Sequence, residues 1–314
     1  MNILLNRIPV DGPWGGGNKT VTAIAERMAI EGHEVTFNLE PNIDVIFCFD
    51  PRPNNTGEWY QTFIDYKNQN PNCKIIQRVG DIGTHGKPEL TELVSQSIQL
   101  SDFLVFPSDW ARKAIKFNKK NYDVIHNGPL KEFYKNRKEN QIDDNTIKIV
   151  THHWSTNKLK GFDYYKRLRD EINKNTLNLE NLNCEFTYIG RYPSDLAAEG
   201  ITVIDPLEAN DLAVKLPNYN IYLTASLLEA GANHVLEAMA AGLPVVYHAH
   251  GGSIPEYCSG YGVEYNDFNE LLQAMKSIVI NYNYFRKKVK KFDRIIDDAV
   301  DDYADIINAV YTKR

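Results

Sequence analysis

The feature that most constrains the fold is a repeated alternation of short apolar runs with longer amphipathic stretches. Each run is long enough for one buried strand, and stretches such as Lys19–Ile30 and Glu89–Leu100 can form the helix that connects two parallel strands. This alternation is typical of a parallel sheet with helices on both faces. The strands predicted before residue 130 are Ile3–Leu5, Val35–Leu39, Val45–Phe49, Lys74–Val79, Phe103–Phe106 and Val124–His126.

A polar stretch, Lys131–Asn145, interrupts the alternation, which then begins again. A chain of 314 residues exceeds the usual size of one domain, so we expect two. The boundaries predicted are residues 1–130 and 131–295, each an α/β Rossmann-like domain. A final helix over 296–314 could return to the first domain. The strands predicted in the second domain are Ile147–Thr151, Cys184–Ile189, Ile201–Ile204, Ile221–Thr224 and Pro244–Tyr247.

Composition excludes several classes of protein. The net charge of −6 argues against nucleic-acid binding, which relies on clustered Lys and Arg. The apolar run at the N-terminus is too short for a signal peptide and no run is long enough to span a membrane, so we expect a cytoplasmic protein. The scattered cysteines favour neither a zinc site nor a disulfide framework. They are Cys48, Cys73, Cys184 and Cys258.

Two basic clusters could contact an anionic membrane or acceptor. The alternative is a solvated basic surface, which the net negative charge favours. The sequence gives no indication of an oligomeric state. The clusters are Arg112, Lys113, Lys116, Lys119 and Lys120, and Lys287, Lys288, Lys290 and Lys291.

The segment from Glu229 to Gly252 carries the most specific chemistry. It is predicted to form a loop, a short helix ended by Gly242 and a strand opened by Pro244. Asn233 is the predicted N-cap, which would direct the backbone amides at the start of the helix toward an anion such as a diphosphate. The residues that carry these amides are Ala232, Asn233 and His234.

Two glutamates bracket this anion site. Glu229 precedes the helix, and Glu237 would lie about 12 Å further along it if every intervening residue had helical rise. Carboxylates accept hydrogen bonds from hydroxyls, and a nucleotide sugar carries hydroxyls on both sides of its diphosphate. The alternative is that Glu229 is a loop charge and Glu237 a solvated helix residue.

This segment resembles the Glu-x7-Glu signature of retaining glycosyltransferases of family four. The matching residues are Glu229, Glu237, Ala238, Met239, Ala240, Gly242, Pro244 and Val245. Gly251-Gly252 with Pro255-Glu256 resembles the family's glycine pair and Pro-Glu, where backbone amides close the donor pocket. The resemblance implies a GT-B fold, in which two Rossmann-like domains face each other across a cleft, the first binding the acceptor and the second the nucleotide-sugar donor.

The resemblance extends to Lys160-Gly161 with Phe162-Asp163, which is similar to the family's Lys-Gly-x-Asp. It implies that Lys160 binds the donor diphosphate and offsets charge on the leaving group. Where the family has an arginine, this chain has Ser155. Ser155 or Asn157 could replace that arginine by donating hydrogen bonds, and Lys158 or His153 by supplying charge. Adjacent strand residues point to opposite faces, which argues against a metal shared by the His152-His153 pair.

The glycine loop after the first strand is a second candidate. Gly15, Gly16 and Gly17 precede a helix, and the family resemblance places them against the donor phosphates and acceptor, which backbone without side chains can approach closely. The loop is similar to a P-loop, but Asn18 separates glycine from lysine, which a Walker motif does not allow. An NTPase is the minor alternative, and a purely structural turn is another.

The sequence does not single out one residue for acid–base chemistry. The family often has a histidine after its fourth strand, where this chain has Asp81 and, slightly beyond, His85. Either could contact the reacting sugar. A surface role for a loop histidine is the alternative.

These observations predict a retaining, metal-independent glycosyltransferase that moves a hexose-type sugar from a nucleoside-diphosphate sugar to an acceptor hydroxyl. No cofactor is required, and the chain has no Asp-x-Asp triplet, the usual metal–diphosphate signature of the other large glycosyltransferase fold. The acceptor is not indicated. The alternatives are an inactive nucleotide-sugar-binding protein with the same fold and a nucleotide-sugar isomerase.

Overall fold

The computed structural model describes residues 1–10, 16–139, 141–142 and 145–312. In these ranges the strands are β1 (Asn2–Leu5), β2 (Glu34–Thr36), β3 (Val45–Cys48), β4 (Lys74–Arg78), β5 (Phe103–Phe106), β6 (Tyr122–Val124), β7 (Thr146–His153), β8 (Asn183–Gly190), β9 (Thr202–Ile204), β10 (Ile221–Thr224), β11 (Val245–His248) and β12 (Gly262–Tyr265).

The α-helices of the described ranges alternate with the strands. They are α1 (Gly16–Ile30), α2 (Tyr60–Gln69), α3 (Pro88–Leu100), α4 (Asp109–Ala114), α5 (Lys131–Lys135), α6 (Phe162–Asn173), α7 (Ala209–Lys215), α8 (Asn233–Ala240), α9 (Ser253–Cys258), α10 (Phe268–Ile280), α11 (Tyr282–Val289) and α12 (Ile296–Thr312). Two 3₁₀ helices cover Lys158–Lys160 and Leu216–Asn218. Of the helices described, none is long and apolar enough to cross a membrane.

The chain forms two compact units. Unit 1 comprises Met1–Gly128 with Ile295–Arg314, and unit 2 comprises Pro129–Arg294. Each unit has a six-stranded sheet in the described residues, and every pair of neighbouring strands in both sheets is parallel. The predicted α/β class with two Rossmann-like domains is therefore confirmed.

In unit 1 the strand order is β2-β1-β3-β4-β5-β6. The chain leaves β1 toward one edge of the sheet and returns to continue on its other side, so the order of the strands reverses between β1 and β3. Helix α12 packs against α1 through a face of apolar residues. The buried residues of this helix are Ile296, Ala299, Val300, Tyr303, Ala304, Ile307 and Val310.

In unit 2 the strand order is β12-β11-β10-β7-β8-β9, so the corresponding reversal lies between β7 and β10. The central strand β10 is buried along its whole length because helices cover both faces of the sheet. One face packs against α8 and α9 and the other against α6 and α10, as the two separate clusters of buried side chains show. The two strands beside this reversal, β7 and β10, are buried and give the loops that follow them a rigid support.

The sequence misplaced some elements at the sheet edges. The strand predicted at Val124–His126 forms earlier, at Tyr122–Val124, and β12 was not predicted. Both are edge strands with exposed residues, and each pairs with one neighbour only in the described structure. A half-solvated edge strand does not need the continuous apolar run by which the central strands were recognised.

Candidate functional site

In unit 2, two loops follow the strands that flank the reversal point. One leads from β7 to Lys160 and the other from β10 to Glu229. In open parallel sheets, ligands bind outside the carboxyl ends of the strands at the point where the strand order reverses. The loops are joined by a hydrogen bond from the amide of Leu227 to the carbonyl of Leu159, at 2.8 Å. Their ends are therefore fixed to each other.

The loop after β7 is shaped by local hydrogen bonds. The Ser155 hydroxyl accepts from the amide of Asn157 at 3.1 Å, and the Asn157 side chain accepts from the amide of Leu159 at 2.9 Å, which caps the 3₁₀ helix. Gly161 then takes a φ of +79°, and a Cβ there would lie 2.3 Å from the carbonyl oxygen of Ala225. A glycine is thus needed for the loop to approach β10.

Lys160 and Glu229 meet at this point. The Lys160 ammonium donates to Oε1 of Glu229, and the two side chains are only 13% and 14% exposed. The backbone of Glu229 is held separately. Its amide donates to the carbonyl of Gly251 at 3.2 Å, and its carbonyl accepts from the amide of Ser253 at 2.8 Å. The sequence-predicted Lys160, Glu229 and glycine pair are therefore neighbours in one cluster.

Gly252 allows this close approach. Its φ is +74°, and a Cβ at this position would lie 2.3 Å from the carbonyl oxygen and 2.5 Å from the amide nitrogen of Glu229. The next residue, Ser253, begins α9, and its hydroxyl accepts from the amide of Ala232 at 3.1 Å. The segment after β11 thus supports the loop after β10 at both Glu229 and Ala232.

The start of α8 differs from the prediction in two respects. Ala232, not Asn233, is the N-cap, and no side chain caps the helix there. The amide of Ala232 is bonded to Ser253, so the expectation that this amide faces an anion is wrong. Because helical rise begins only at Asn233, the condition for the 12 Å estimate between the two glutamates, helical rise at every intervening residue, is not met. Asn233 and His234 form the first turn of α8.

Glu237 has a partner that sequence reasoning missed. Its Oε2 lies 2.9 Å from Nε2 of His152, and these side chains are 12% and 10% exposed. The backbone of His152 is in turn fixed by Tyr222, whose hydroxyl is 3.2 Å from both the amide and the carbonyl of His152. Since a buried carboxylate is stable only when paired or hydrogen-bonded, His152 holds Glu237 in place.

Buried imidazoles lie beneath this cluster. His234 contacts the hydroxyl of Thr224 through Nε2 at 3.0 Å, and its ring lies 5.1 Å from that of His153. Burial lowers the pKa of His234 to about 3, with Glu229 opposing the shift and Lys160 and His152 adding to it. His234 is therefore neutral at physiological pH. Within the described ranges, no three His, Cys, Asp or Glu side chains are grouped to hold a metal ion.

The predicted residues of unit 1 follow different strands of its sheet. Gly15 lies outside the described residues, Gly16 begins α1 and Gly17 is in its first turn. Asn18, at the place of the Walker lysine, exchanges two hydrogen bonds with the backbone of Val10, at 2.8 and 2.6 Å.

Asp81 and His85 lie in the connection between β4 and α3. Asp81 accepts from the amide of Gly83 at 3.0 Å and from Lys87 at 2.8 Å. Burial would raise the pKa of Asp81, but these two hydrogen bonds and the charge of Lys87 outweigh it and lower the pKa below its usual value. Asp81 is thus an ionised acceptor at neutral pH. His85 is partly exposed in the turn that follows.

Two Rossmann-like units of this kind define the GT-B class of fold. Residues 148–281, which lie in unit 2, match the family model described as "Glycosyl transferases group 1". Over these residues the resemblance of the Glu229–Gly252 motif to glycosyltransferase sequences is confirmed at the level of this group. No curated protein matches the chain by sequence.

Solved structures with the same fold include known glycosyltransferases. The chain is similar to sucrose-phosphate synthase from Thermosynechococcus elongatus, with 15% identity, a TM-score of 0.71 and full coverage of both chains. It is similar to WaaG, a glycosyltransferase involved in lipopolysaccharide biosynthesis, at 15% identity and a TM-score of 0.66, covering 98% of this chain and 99% of that one. It is also similar to Anabaena HepE, which was solved in complex with UDP-glucose, at 12% identity and a TM-score of 0.69, covering 98% of this chain and 99% of that one. The family match and the fold together support nucleotide-sugar glycosyl transfer as the class of activity.

Proposed function

We propose that the chain is a retaining glycosyltransferase that moves a hexose-type sugar from a nucleoside-diphosphate sugar to an acceptor hydroxyl. The observation that carries this proposal is the meeting of Lys160, Glu229 and Gly252 at the reversal point of the unit 2 sheet. A cation, a carboxylate and closely packed backbone are what a diphosphate linked to a sugar requires.

Each group has a role in this reaction. The Lys160 ammonium offsets the charge that develops on the diphosphate as the sugar–phosphate bond breaks. Glu229 accepts hydrogen bonds from hydroxyls of the transferred sugar, and Glu237, held by His152, accepts from the ribose. Lys160 supplies the countercharge that a metal provides in other transferases, so this mechanism is metal-independent.

Ser155 cannot supply the charge of the family's arginine, and its hydroxyl already accepts a hydrogen bond from the amide of Asn157 within its own turn. It can still donate one hydrogen bond to a phosphate oxygen, since a hydroxyl both donates and accepts. We assign Ser155 this weaker role beside Lys160. Asp81 and His85 are the candidates for contact with the reacting sugar from unit 1.

Donor binding is the first test. Because HepE was solved with UDP-glucose, the panel of nucleotide sugars starts with UDP-sugars. A bound donor should raise the melting temperature, and a donor at about 100 times its Kd should stabilise the protein by about 2.7 kcal/mol. If no nucleotide sugar raises the melting temperature, the donor site is refuted.

Variants of Glu237 test whether this carboxylate binds the ribose of the donor. Glu237→Gln keeps an acceptor for His152 but removes the charge, whereas Glu237→Ala removes both. We expect Glu237→Ala to weaken donor binding about tenfold or more, which is what a lost hydrogen bond to a charged group contributes. Glu264→Ala, an exposed glutamate on β12, is the control. Equal donor affinity in Glu237→Ala and Glu264→Ala would remove the ribose role.

Activity separates the enzyme from its alternatives. A transferase that lacks its acceptor should slowly hydrolyse the donor, and in a retaining enzyme the anomer that forms first has the configuration of the donor, as NMR can show. An inactive binding protein would leave the donor intact. An isomerase would convert the donor without releasing free sugar.

A further inference from the structure

The carboxyl ends of β7 and β8 in unit 2 carry an aromatic ring stacked with a cation. Trp154 is the first residue after β7, and Arg191 is the first residue after β8. The guanidinium of Arg191 lies over the indole of Trp154, with Cζ 4.4 Å from the ring centroid. Trp154 is half-buried and Arg191 is exposed, so this indole–guanidinium pair is accessible at the edge of the sheet.

The backbone fixes the position of the pair. Gly190 has a φ of +127°, and a Cβ there would lie 2.0 Å from the carbonyl oxygen of His153, so the two strand ends approach closely. The amide of Arg191 donates to that same carbonyl at 3.2 Å, and the carbonyl of Arg191 accepts from the hydroxyl of Tyr188 at 3.0 Å. Arg191 is therefore bonded directly to the residue that precedes Trp154.

The contacts of the candidate site give a direction along the same edge of the sheet. Glu229, the proposed sugar ligand, is bonded through its backbone to Gly251 after β11, and its carboxylate pairs with Lys160 in the loop after β7. Glu237, the proposed ribose ligand, contacts His152 on β7 itself. Because the strands lie in the order β11-β10-β7-β8, a donor bound along these groups has its base beyond the ribose, on the side of β8. The indole–guanidinium pair lies at that strand end.

The pair differs from a second stacked arginine in unit 2. The guanidinium of Arg167 lies 4.1 Å from the ring centroid of Phe268, and Phe268 is only 4% exposed and belongs to an apolar cluster. The indole of Trp154 belongs to neither of the two apolar clusters that the described residues of unit 2 form. Nucleobases stack on aromatic rings and on guanidinium planes, and both kinds of surface are present in the pair.

We propose that Trp154 and Arg191 bind the nucleobase of the donor by stacking. This inference rests on the proposed function, which assigns the ribose to Glu237. Every base has a π-face, so the pair supplies affinity for nucleoside diphosphates as a class, without selecting one base.

Tryptophan fluorescence tests whether the base contacts the indole. The chain between residues 129 and 294 contains one tryptophan, Trp154. Titration of wild type with UDP, ADP and GDP should quench the fluorescence when a nucleotide binds, and Trp154→Phe should remove most of that quenching. Trp59→Phe, which removes a tryptophan of unit 1, is the control and should retain the quenching.

Calorimetry measures the contribution of each side chain to affinity. The nucleoside diphosphate that wild type binds most tightly should bind about tenfold more weakly to Trp154→Ala and to Arg191→Ala. Arg167→Ala is the matched control, because it removes the other stacked guanidinium of unit 2, and should bind as wild type does. Arg191→Lys retains the charge but not the planar group, so it should bind as weakly as Arg191→Ala.

Several results overturn the inference. Wild-type affinity in both alanine variants, or undiminished quenching in Trp154→Phe, would show that the base does not contact the pair. If Arg191→Lys restores the affinity that Arg191→Ala loses, the arginine acts as a charge on the phosphates and stacking is refuted. Should Trp154→Ala not fold, the variants of the exposed Arg191 decide between these outcomes.

The proposed function fails in a different way. If nucleotide affinity is lost in Lys160→Met but retained in Trp154→Ala and Arg191→Ala, the donor site stands and the stacking site does not. If affinity depends on Trp154 and Arg191 but is unchanged in Lys160→Met and Glu237→Ala, the base site stands and the proposed positions of the diphosphate and ribose are wrong. A wild-type protein that binds no nucleoside diphosphate would overturn both.

Discussion

The ammonium of Lys160 and the carboxylate of Glu229 form an ion pair that joins the loops following the two strands at the reversal point of unit 2. With exposures of 13% and 14%, the pair is far less screened by water than a surface pair. In the proposed function, a diphosphate that binds Lys160 has to share its cation with Glu229. The proposal therefore predicts that donor binding depends on the strength of this ion pair.

Replacing Lys160 tests that coupling. Lys160→Met should reduce kcat/KM for the donor by about 10²–10³, which is typical for the loss of one group that stabilises developing charge. It should also lower the melting temperature, because Glu229 loses its cation. Adding Glu229→Gln to Lys160→Met should restore part of the melting temperature without restoring activity. A double variant that is no more stable than Lys160→Met would show that the ion pair is unimportant.

Gly252 provides a test of the backbone geometry. Gly252→Ala places a methyl group 2.3 Å from the carbonyl oxygen of Glu229, and the backbone conformation of this residue, φ +74° and ψ −114°, adds strain of about 1–3 kcal/mol. Gly260→Ala is the control for a positive φ without a contact, since its φ is +85° and nothing lies within 4 Å of the added Cβ. We expect Gly260→Ala to show the strain alone, and Gly252→Ala to melt several degrees lower still and to lose donor affinity.

Thermal unfolding and a donor titration on the two alanine variants check this expectation. Gly260→Ala reports the cost of a positive φ without a contact, and Gly252→Ala adds to it the contact with Glu229 and a ψ of −114°, which disfavours a Cβ. Equal melting temperatures would mean that the loop after β11 adjusts without moving Glu229.

The sequence was sufficient for the central strands and for the pairing of loops at the reversal point. Buried strands must be apolar along their length, and Gly161 and Gly252 are required by local backbone conformation, so both leave a trace in the sequence. No pattern in the sequence predicts the contact between His152 and Glu237. Its partners are far apart in the chain, and each residue type has many other uses.

The cap of α8 shows a second limit. Asn233 is a good N-cap by type, yet Ala232 holds that position, because the hydroxyl of Ser253 reaches the amide of Ala232 from another segment. A tertiary hydrogen bond thus replaces the local one that the sequence predicts.

His234 makes stability depend on pH. Its pKa is about 3 in the folded protein and about 6.5 when exposed. Below pH 6.5 the unfolded chain takes up a proton at this residue that the folded protein does not. The free energy of unfolding is therefore unaffected by His234 above that pH and falls by about 1.4 kcal/mol per pH unit below it. His234→Gln, which keeps a hydrogen-bonding group for Thr224 but has no titratable proton, should lose less stability between pH 7.5 and 5.5 in denaturant unfolding. Equal losses in the two proteins would contradict the assignment.

Arg137 lies in the polar stretch that the sequence suggested was a connection, yet it links two helix ends. Its guanidinium donates to the carbonyl oxygens of Ala240 at 2.7 Å, Lys290 at 3.1 Å and Phe292 at 2.9 Å. These carbonyls lie at or beyond the C-terminal ends of α8 and α11, where the same helix has no further amide to donate a hydrogen bond to them. The side chain therefore satisfies acceptors on two elements at once.

Removing this guanidinium should destabilise unit 2 without a direct effect on chemistry. Each buried acceptor left unsatisfied costs about 1–3 kcal/mol, so Arg137→Gln should lower the melting temperature by several degrees, at about 2–4 °C per kcal/mol. Arg137→Lys should be nearly as unstable, because an ammonium cannot reach the separate carbonyls that a guanidinium spans. Lys135→Gln, an exposed charge in the neighbouring α5, is the control for lost charge. If Arg137→Gln and Lys135→Gln had the same melting temperature, the carbonyls would have found other donors, and the position of α8 would not depend on this arginine.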